Sequence, residues 1–254
     1  MVYYSIIFFI FGTILSSFYN VVGFRLPRGE SIVFPPSHCP KCNHRLSAIE
    51  LIPILSFIIQ KGKCKNCNEK ISWFYPLFEL FGGILFTLAY LSFGMTPELV
   101  IALTFISLTL IIMVSDYNYM IINDSVLIIF TIMLVIEIFF IRGFNTLLAS
   151  LISGIICFIV MFLIKKLGDF LFKKESMGGG DIKLMFIFGL MFGIAAGLST
   201  IFIGALIGLP ISLIILYRNK SHVIPFGPFL CLGSLILLLL QIDSDTIMFL
   251  LTRV

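Results

Sequence analysis

Two aspartates in a largely apolar chain are the candidates to carry its chemistry. Asp181 follows Gly178-Gly179-Gly180 where an apolar segment begins, and Asp116 ends another apolar run, 99–115. An ionisable group at membrane depth is costly and is by default a candidate functional group. Two neighbouring carboxylates that share one proton can do peptide hydrolysis. The ionised one acts as base on water, and the protonated one polarises the carbonyl. Which of the two holds the proton is left open, because such a pair titrates as a unit. Gly178, Gly179 and Gly180 would admit an extended substrate backbone close to Asp181. The plainer alternative is a glycine-rich turn with Asp181 as a helix N-cap. Lys183 has two fates in this pattern, pairing with Asp181 or snorkelling to the headgroups.

The segments that must hold these groups are membrane helices. Of 254 residues, 59% are hydrophobic and 12% charged, about half the charged share of an ordinary soluble domain. The expected fold is all-α, a polytopic membrane protein in a lipid bilayer. At about 20 apolar residues per crossing, about eight spans are expected. They fall near 3–24, 74–93, 98–115, 123–141, 145–164, 182–196, 198–217 and 226–241. The sixth is short and rich in glycine, and 246–251 is too short to cross. Residues 1–24 lack Lys and Arg, so the first segment reads as a retained anchor and not a cleaved signal. The domain division is a first helix at 1–24, a loop at 25–73 and a seven-helix membrane domain at 74–254. Nearly all basic residues lie in three connections, 25–70, 165–183 and 218–220, with Arg142 and Arg253 opposite. The positive-inside rule then puts the three loops in the cytoplasm, both termini outside, and both aspartates at cytoplasmic helix ends. The net charge of +4 says little by itself, and no nucleic-acid partner is expected.

The first loop carries Cys39-Pro40-Lys41-Cys42 and Cys64-Lys65-Asn66-Cys67. Two C-x-x-C pairs at this separation read as a four-thiolate zinc site. Two disulfides are the alternative, disfavoured on a cytosolic side. The loop is too short for a large core, so a metal staple suits it. His38 and His44 flank the first pair but are not needed as ligands. Cys157 and Cys231 lie in apolar spans as small hydrophobes.

Other ionisable groups have competing readings. Glu79, inside the second span, is either a member of a polar site or an interfacial cap. Glu50 is expected as a solvated loop charge. Glu137, within the fourth span, is expected to face an aqueous crevice. Asp124 is expected as a helix cap, and Asp116 is preferred to it as the partner of Asp181. Arg142 is expected as an anchor at the outer interface.

The ordered motifs extend over nearly the whole chain. They are Ser17–Ser31, the Cys pairs flanking Glu50–Ser56, Tyr75–Leu80, the Gly178–Asp181 match to G-x-G-D, and Ile224–Phe229. Together they resemble the bifunctional type IV prepilin peptidases, also called leader peptidase/N-methyltransferases. The resemblance implies a cell-membrane enzyme acting on prepilins and pseudopilins at the cytoplasmic face. It would cleave the leader after a glycine and methylate the new N-terminus from S-adenosylmethionine. It implies catalytic roles for Asp116 and Asp181, and zinc-type ligation by Cys39, Cys42, Cys64 and Cys67. Glu50 and Glu79 are candidates for the methyl-donor site. One departure is Asn123-Asp124, where the family usually has Pro-Asp. Two rival readings are a peptidase without methyl transfer and an ion-coupled carrier. Short family members that only cleave lack the Cys loop, and a carrier gives that loop no role.

Overall fold

The computed structural model describes residues 1–175, 177–219 and 224–252. Lys220 and Arg253, part of the expected charge distribution, and Ser176 lie outside the described residues. The described chain has helices and turns and two isolated β-bridges. Each of the eight expected apolar segments falls on helix. Among the described residues, six helices are long and apolar enough to cross a membrane. The chain divides into two compact units, Met1–Met95 and Thr96–Val254.

The first unit is an antiparallel pair, α1 (Val2–Arg25) and α3 (Phe74–Phe93), with the Cys loop between them in sequence. Nearly uniform apolar sequence around α1 suits lipid on one side and α3 on the other. The pair approaches closely at small residues, as membrane helices do. A Cβ on Gly12 would stand 2.7 Å from Phe86 and 2.8 Å from the Gly82 carbonyl, and one on Gly83 would stand 2.7 Å from Thr13. Phe8 stacks on Tyr90 with ring centroids 5.0 Å apart. Within the loop, α2 (Leu55–Ile59) is one short turn of helix.

The second unit is built on α4 (Glu98–Tyr119), which is buried along most of its length. Around it run α5 (Asp124–Arg142), α6 (Phe144–Phe172), α7 (Gly179–Asn219), α8 (Gly227–Leu239) and α9 (Ser244–Thr252). The α4 helix passes its expected end and includes Asp116 in its last turn, closed by Met120 in the left-handed region. Likewise α6 runs beyond its expected apolar limit, so Lys165 and Lys166 are helical and not in a loop. At the other end of α4 and α5, Arg142 makes a bidentate ion pair with Glu98, at 2.7 and 3.1 Å. The expected interface anchor is thus also a tie between two helices.

The sixth and seventh expected spans are the two arms of α7. Gly193, at φ 81° and ψ −175°, breaks the helix, a conformation that glycine adopts without a Cβ penalty. The arms then fold back on each other. Thr200 Oγ1 comes 3.7 Å from Met185 Sδ, a separation impossible along one straight helix at 1.5 Å per residue. Ser244 closes the break from α9. Its hydroxyl donates to the Phe192 carbonyl at 2.9 Å and accepts from the Ala196 N–H at 3.2 Å. Those are backbone groups that the interruption would leave orphaned. The eighth expected span, α8, has 13 residues, about 20 Å of helix. It is shorter than the hydrocarbon core.

Candidate active site and metal centre

In the second unit, the C-terminal turn of α4 and the N-termini of α5, α7 and α8 meet at one end. Asp116 reaches it from α4 and Asp181 from the first turn of α7. Both are buried, at 6% and 8% exposure, and they stand close enough for their charges to interact. Asp116 Oδ2 accepts a hydrogen bond from the Gly227 N–H at 3.0 Å. This N–H opens α8, so a helix N-terminus, with its partial positive charge, faces the carboxylate. A Cβ at Gly227 would lie 2.6 Å from that oxygen. Only glycine lets this backbone approach so near. Cys231, one turn further along α8, is fully buried and lies in the field of both aspartates.

The glycines before Asp181 differ in surroundings. A Cβ on Gly180 would meet Ile122 at 2.7 Å, whereas Gly179 has open space around it. Gly180 therefore seats the start of α7 against the α4–α5 turn, and Gly179 leaves room beside Asp181. Lys183 takes neither expected course. It pairs with Asp124 Oδ1 at 2.6 Å, both side chains about half exposed. The expectation that Asp124 caps α5 is also corrected. Asn123 is the cap, its Oδ1 accepting from the Ser125 N–H at 2.9 Å, and Asp124 is freed to bind Lys183. Glu137 accepts from Thr104 at 2.7 Å through Oε1, and its Oε2 is buried without a partner among the described residues.

In the first unit the four loop cysteines converge. Their Sγ atoms lie within 4.8 Å of one another, with Cys39–Cys67 at 3.8 Å and Cys42–Cys64 at 3.9 Å. A tetrahedral ion at about 2.3 Å from each sulfur requires S···S edges near 3.8 Å. All four are free thiols and not disulfides, and the cluster can hold a metal ion. Two copies of one turn build it. The Cys39 N–H donates to His44 O and the Asn43 N–H to Cys39 O. In parallel, Cys64 N–H donates to Glu69 O and Asn68 N–H to Cys64 O, all at 2.8–2.9 Å. Asn43 and Asn68 both have positive φ, 55° and 57°, which asparagine tolerates better than most residues. The backbone N–H groups of Cys42 and Lys41 hold the Cys39 thiol down at about 6, while, against the Glu69 N–H, burial and the neighbouring thiols push Cys67 up to about 12. A Lys41–Glu69 ion pair links the two turns.

Glu50 is not the solvated charge expected. Its side chain is 6% exposed. Oε2 accepts from the Ser47 N–H at 2.9 Å and the Ser47 hydroxyl at 2.7 Å, and His44 Nε2 lies 3.3 Å away. The Ser47 groups, with His44 after them, hold the carboxyl at about 2. His44 thus braces Glu50. A cavity of about 510 Å³ adjoins this network, lined by Glu50, Ser56, Gln60, Lys61, Lys63 and Cys64 among others. Glu79 is buried in α3, and its Oε2 accepts from the Ile54 N–H at 2.8 Å. It ties the loop to the helix pair and does not merely cap an interface.

Two features were missed in the sequence. Gly227 was visible only inside the Ile224–Phe229 motif, and its contact with Asp116 joins residues 111 apart. The repeated Cys-x-x-Cys-Asn pattern was readable as a duplicated turn.

The division into units is matched by comparison with known proteins. Residues 10–93 match the Bacterial Peptidase A24 N-terminal domain, and residues 103–213 match the Type IV leader peptidase family. A prepilin leader peptidase/N-methyltransferase of Bacillus subtilis (strain 168) is 38% identical over 234 residues, 91% of this chain and 92% of that protein. The chain belongs to the type IV leader peptidase family. Relatives of the same name in Neisseria gonorrhoeae and Aeromonas salmonicida (strain A449) are 32% and 29% identical. Their alignments cover 90% and 93% of this chain, and 87% and 90% of theirs. No solved structure matches. The two matched family segments split between residues 93 and 103, beside the boundary at Met95 and Thr96. Family membership thus extends over both the Cys loop and the aspartate end.

Proposed function

We propose that this chain is a bifunctional prepilin peptidase in the cell membrane. It cleaves the basic leader of type IV prepilins and pseudopilins after a glycine at the cytoplasmic face, then N-methylates the new N-terminal residue. The observation that carries the reading is the meeting of two buried carboxylates, Asp116 and Asp181, at one end of the second unit. Asp116 and Asp181 act together on water and the scissile carbonyl, sharing one proton. The Gly227 N–H fixes the Asp116 carboxylate, and Gly178–Gly180 give the substrate strand room. Lys183 orients the start of α7 through Asp124. The Cys39, Cys42, Cys64 and Cys67 cluster takes a structural zinc, which stabilises the loop. S-adenosylmethionine supplies the methyl group, and the loop with Glu79 serves that half-reaction. Glu50, already spent on Ser47 and His44, shapes the loop. The test is mass spectrometry of a pilin N-terminus from cells with and without this protein. A leaderless, methylated terminus only in its presence supports the reading, and an uncut leader in both overturns it.

Two further outcomes are expected. Gly227→Ala pushes the Asp116 carboxylate aside, and cleavage falls about 100-fold, the scale of a 1 Å misplacement. Initial rates on a purified prepilin check this, with the unfolding midpoint as control. With the basic loops inside, a thiol introduced at Thr96 reacts with a membrane-impermeant reagent added outside, and one at Ser176 does not. Labelling at Ser176 from outside reverses the topology.

A further inference from the structure

The helix pair of the first unit buries a polar cluster that packing leaves unsatisfied. Asn20 is 2% exposed and Ser16 0%. Neither polar atom of the Asn20 amide has a partner among the described residues, nor does the Ser16 hydroxyl. Both lie on one face of α1, four residues apart. Ser17, between them, lies against the Glu79 carboxylate of α3. Buried polar groups are nearly always paired, so orphaned ones point to a missing partner. The cluster is placed about 8 Å along α1 from Arg25, at the end that carries the Cys loop. Beyond it the helices close at Gly12 and Gly83, which gives it an apolar floor. Ile54 reinforces it from the loop. Ile54 holds φ 63°, a strained value for a β-branched residue, while its N–H binds Glu79 Oε2.

We propose that Asn20 and Glu79 receive the free N-terminal amine of the cleaved substrate. The chemistry of the groups is that of a chain end. An ammonium has three donors, and Glu79 and Asn20 Oδ1 are acceptors. Asn20 Nδ2 is left to donate to the first peptide carbonyl. The inference rests on the methyl-transfer half of the proposed function and names its acceptor site. Methyl transfer needs a neutral amine. Glu79 takes one proton, breaking N–H and forming O–H. The amine lone pair then forms the N–C bond to the methyl carbon of the sulfonium donor. The C–S bond breaks with its electron pair going to sulfur, a thioether leaves, and the proton on Glu79 passes to water.

The test uses the full-length protein in detergent and two synthetic peptides. Both carry an N-terminal phenylalanine and an apolar helix, one with a free amine and one acetylated. A charge-assisted hydrogen bond is worth about 1.5–3 kcal/mol, so the free peptide is expected to bind at least about tenfold tighter. Asn20→Ala and Glu79→Gln each remove most of that preference, while leader cleavage stays within about twofold of wild type. An unchanged preference in Asn20→Ala overturns the proposal. Equal loss of affinity for both peptides, or loss of cleavage alongside, also overturns it, because the cluster would then be structural. A labelled methyl donor separates the two readings. Free-amine preference without any methyl transfer sustains the amine site and refutes the methyltransferase.

Discussion

Asp116→Asn and Asp181→Asn each reduce leader cleavage by at least about 10³-fold while the protein accumulates in the membrane as before. The magnitude is that of removing one member of a catalytic group acting as a unit. The replacement is nearly isosteric. In Asp116→Asn the new amide oxygen still accepts from the Gly227 N–H, so the end of the second unit keeps its shape. What is lost is the ionisable pair that shares a proton. Asp124→Asn makes the contrast. Its partner is Lys183 at a half-exposed site, where an ion pair contributes about 0–1 kcal/mol. Substantial cleavage should survive. Cleavage rates on one prepilin across the three variants decide it. A dispensable Asp116 with an essential Asp124 would move the second catalytic carboxylate to α5.

The second large effect lies in the first unit. The double variant with Cys39→Ser and Cys42→Ser loses half the ligands of the sulfur cluster. Wild-type protein should carry about one zinc per chain, the stoichiometry of a four-cysteine site, and the variant almost none. Structural zinc contributes about 10–16 kcal/mol in small modules. The paired Cys-x-x-Cys-Asn turns should therefore lose their order. Methyl transfer is expected to fall at least about tenfold, in line with the effect of disturbing a metal's surroundings. Cleavage falls less, since Asp116 and Asp181 stand on helices of the other unit. Metal analysis, cleavage and methylation on the same preparation check this. Normal methylation without zinc would refute the division of labour. Equal loss of both activities would mean that the loop also shapes the peptidase cleft.

Much of this was legible in the residues. Long apolar runs marked the helices because backbone groups in lipid must be satisfied within the segment. The Cys pairs marked their cluster because ligand spacing is local. The sequence hid what depends on long-range approach. The Gly227 contact with Asp116 and the capture of Lys183 by Asp124 join distant segments. Helix limits also slipped, since polar residues such as Asp116 and Lys165 continue a helix as readily as apolar ones. The reversal at Gly193 was seen only as a short span rich in glycine. No periodicity reports that one serine, far along the chain at Ser244, closes the break.

That serine gives the end of the described chain a duty it would not be assigned from its length. Asp181 begins the first arm of α7, and Ser244 clasps that arm's far end at Phe192. The clasp works like a heel plate. Its loss is expected to let the arm shift, and with it a carboxylate about 17 Å away. On the proposed reading, Ser244 is in this sense part of the peptidase frame.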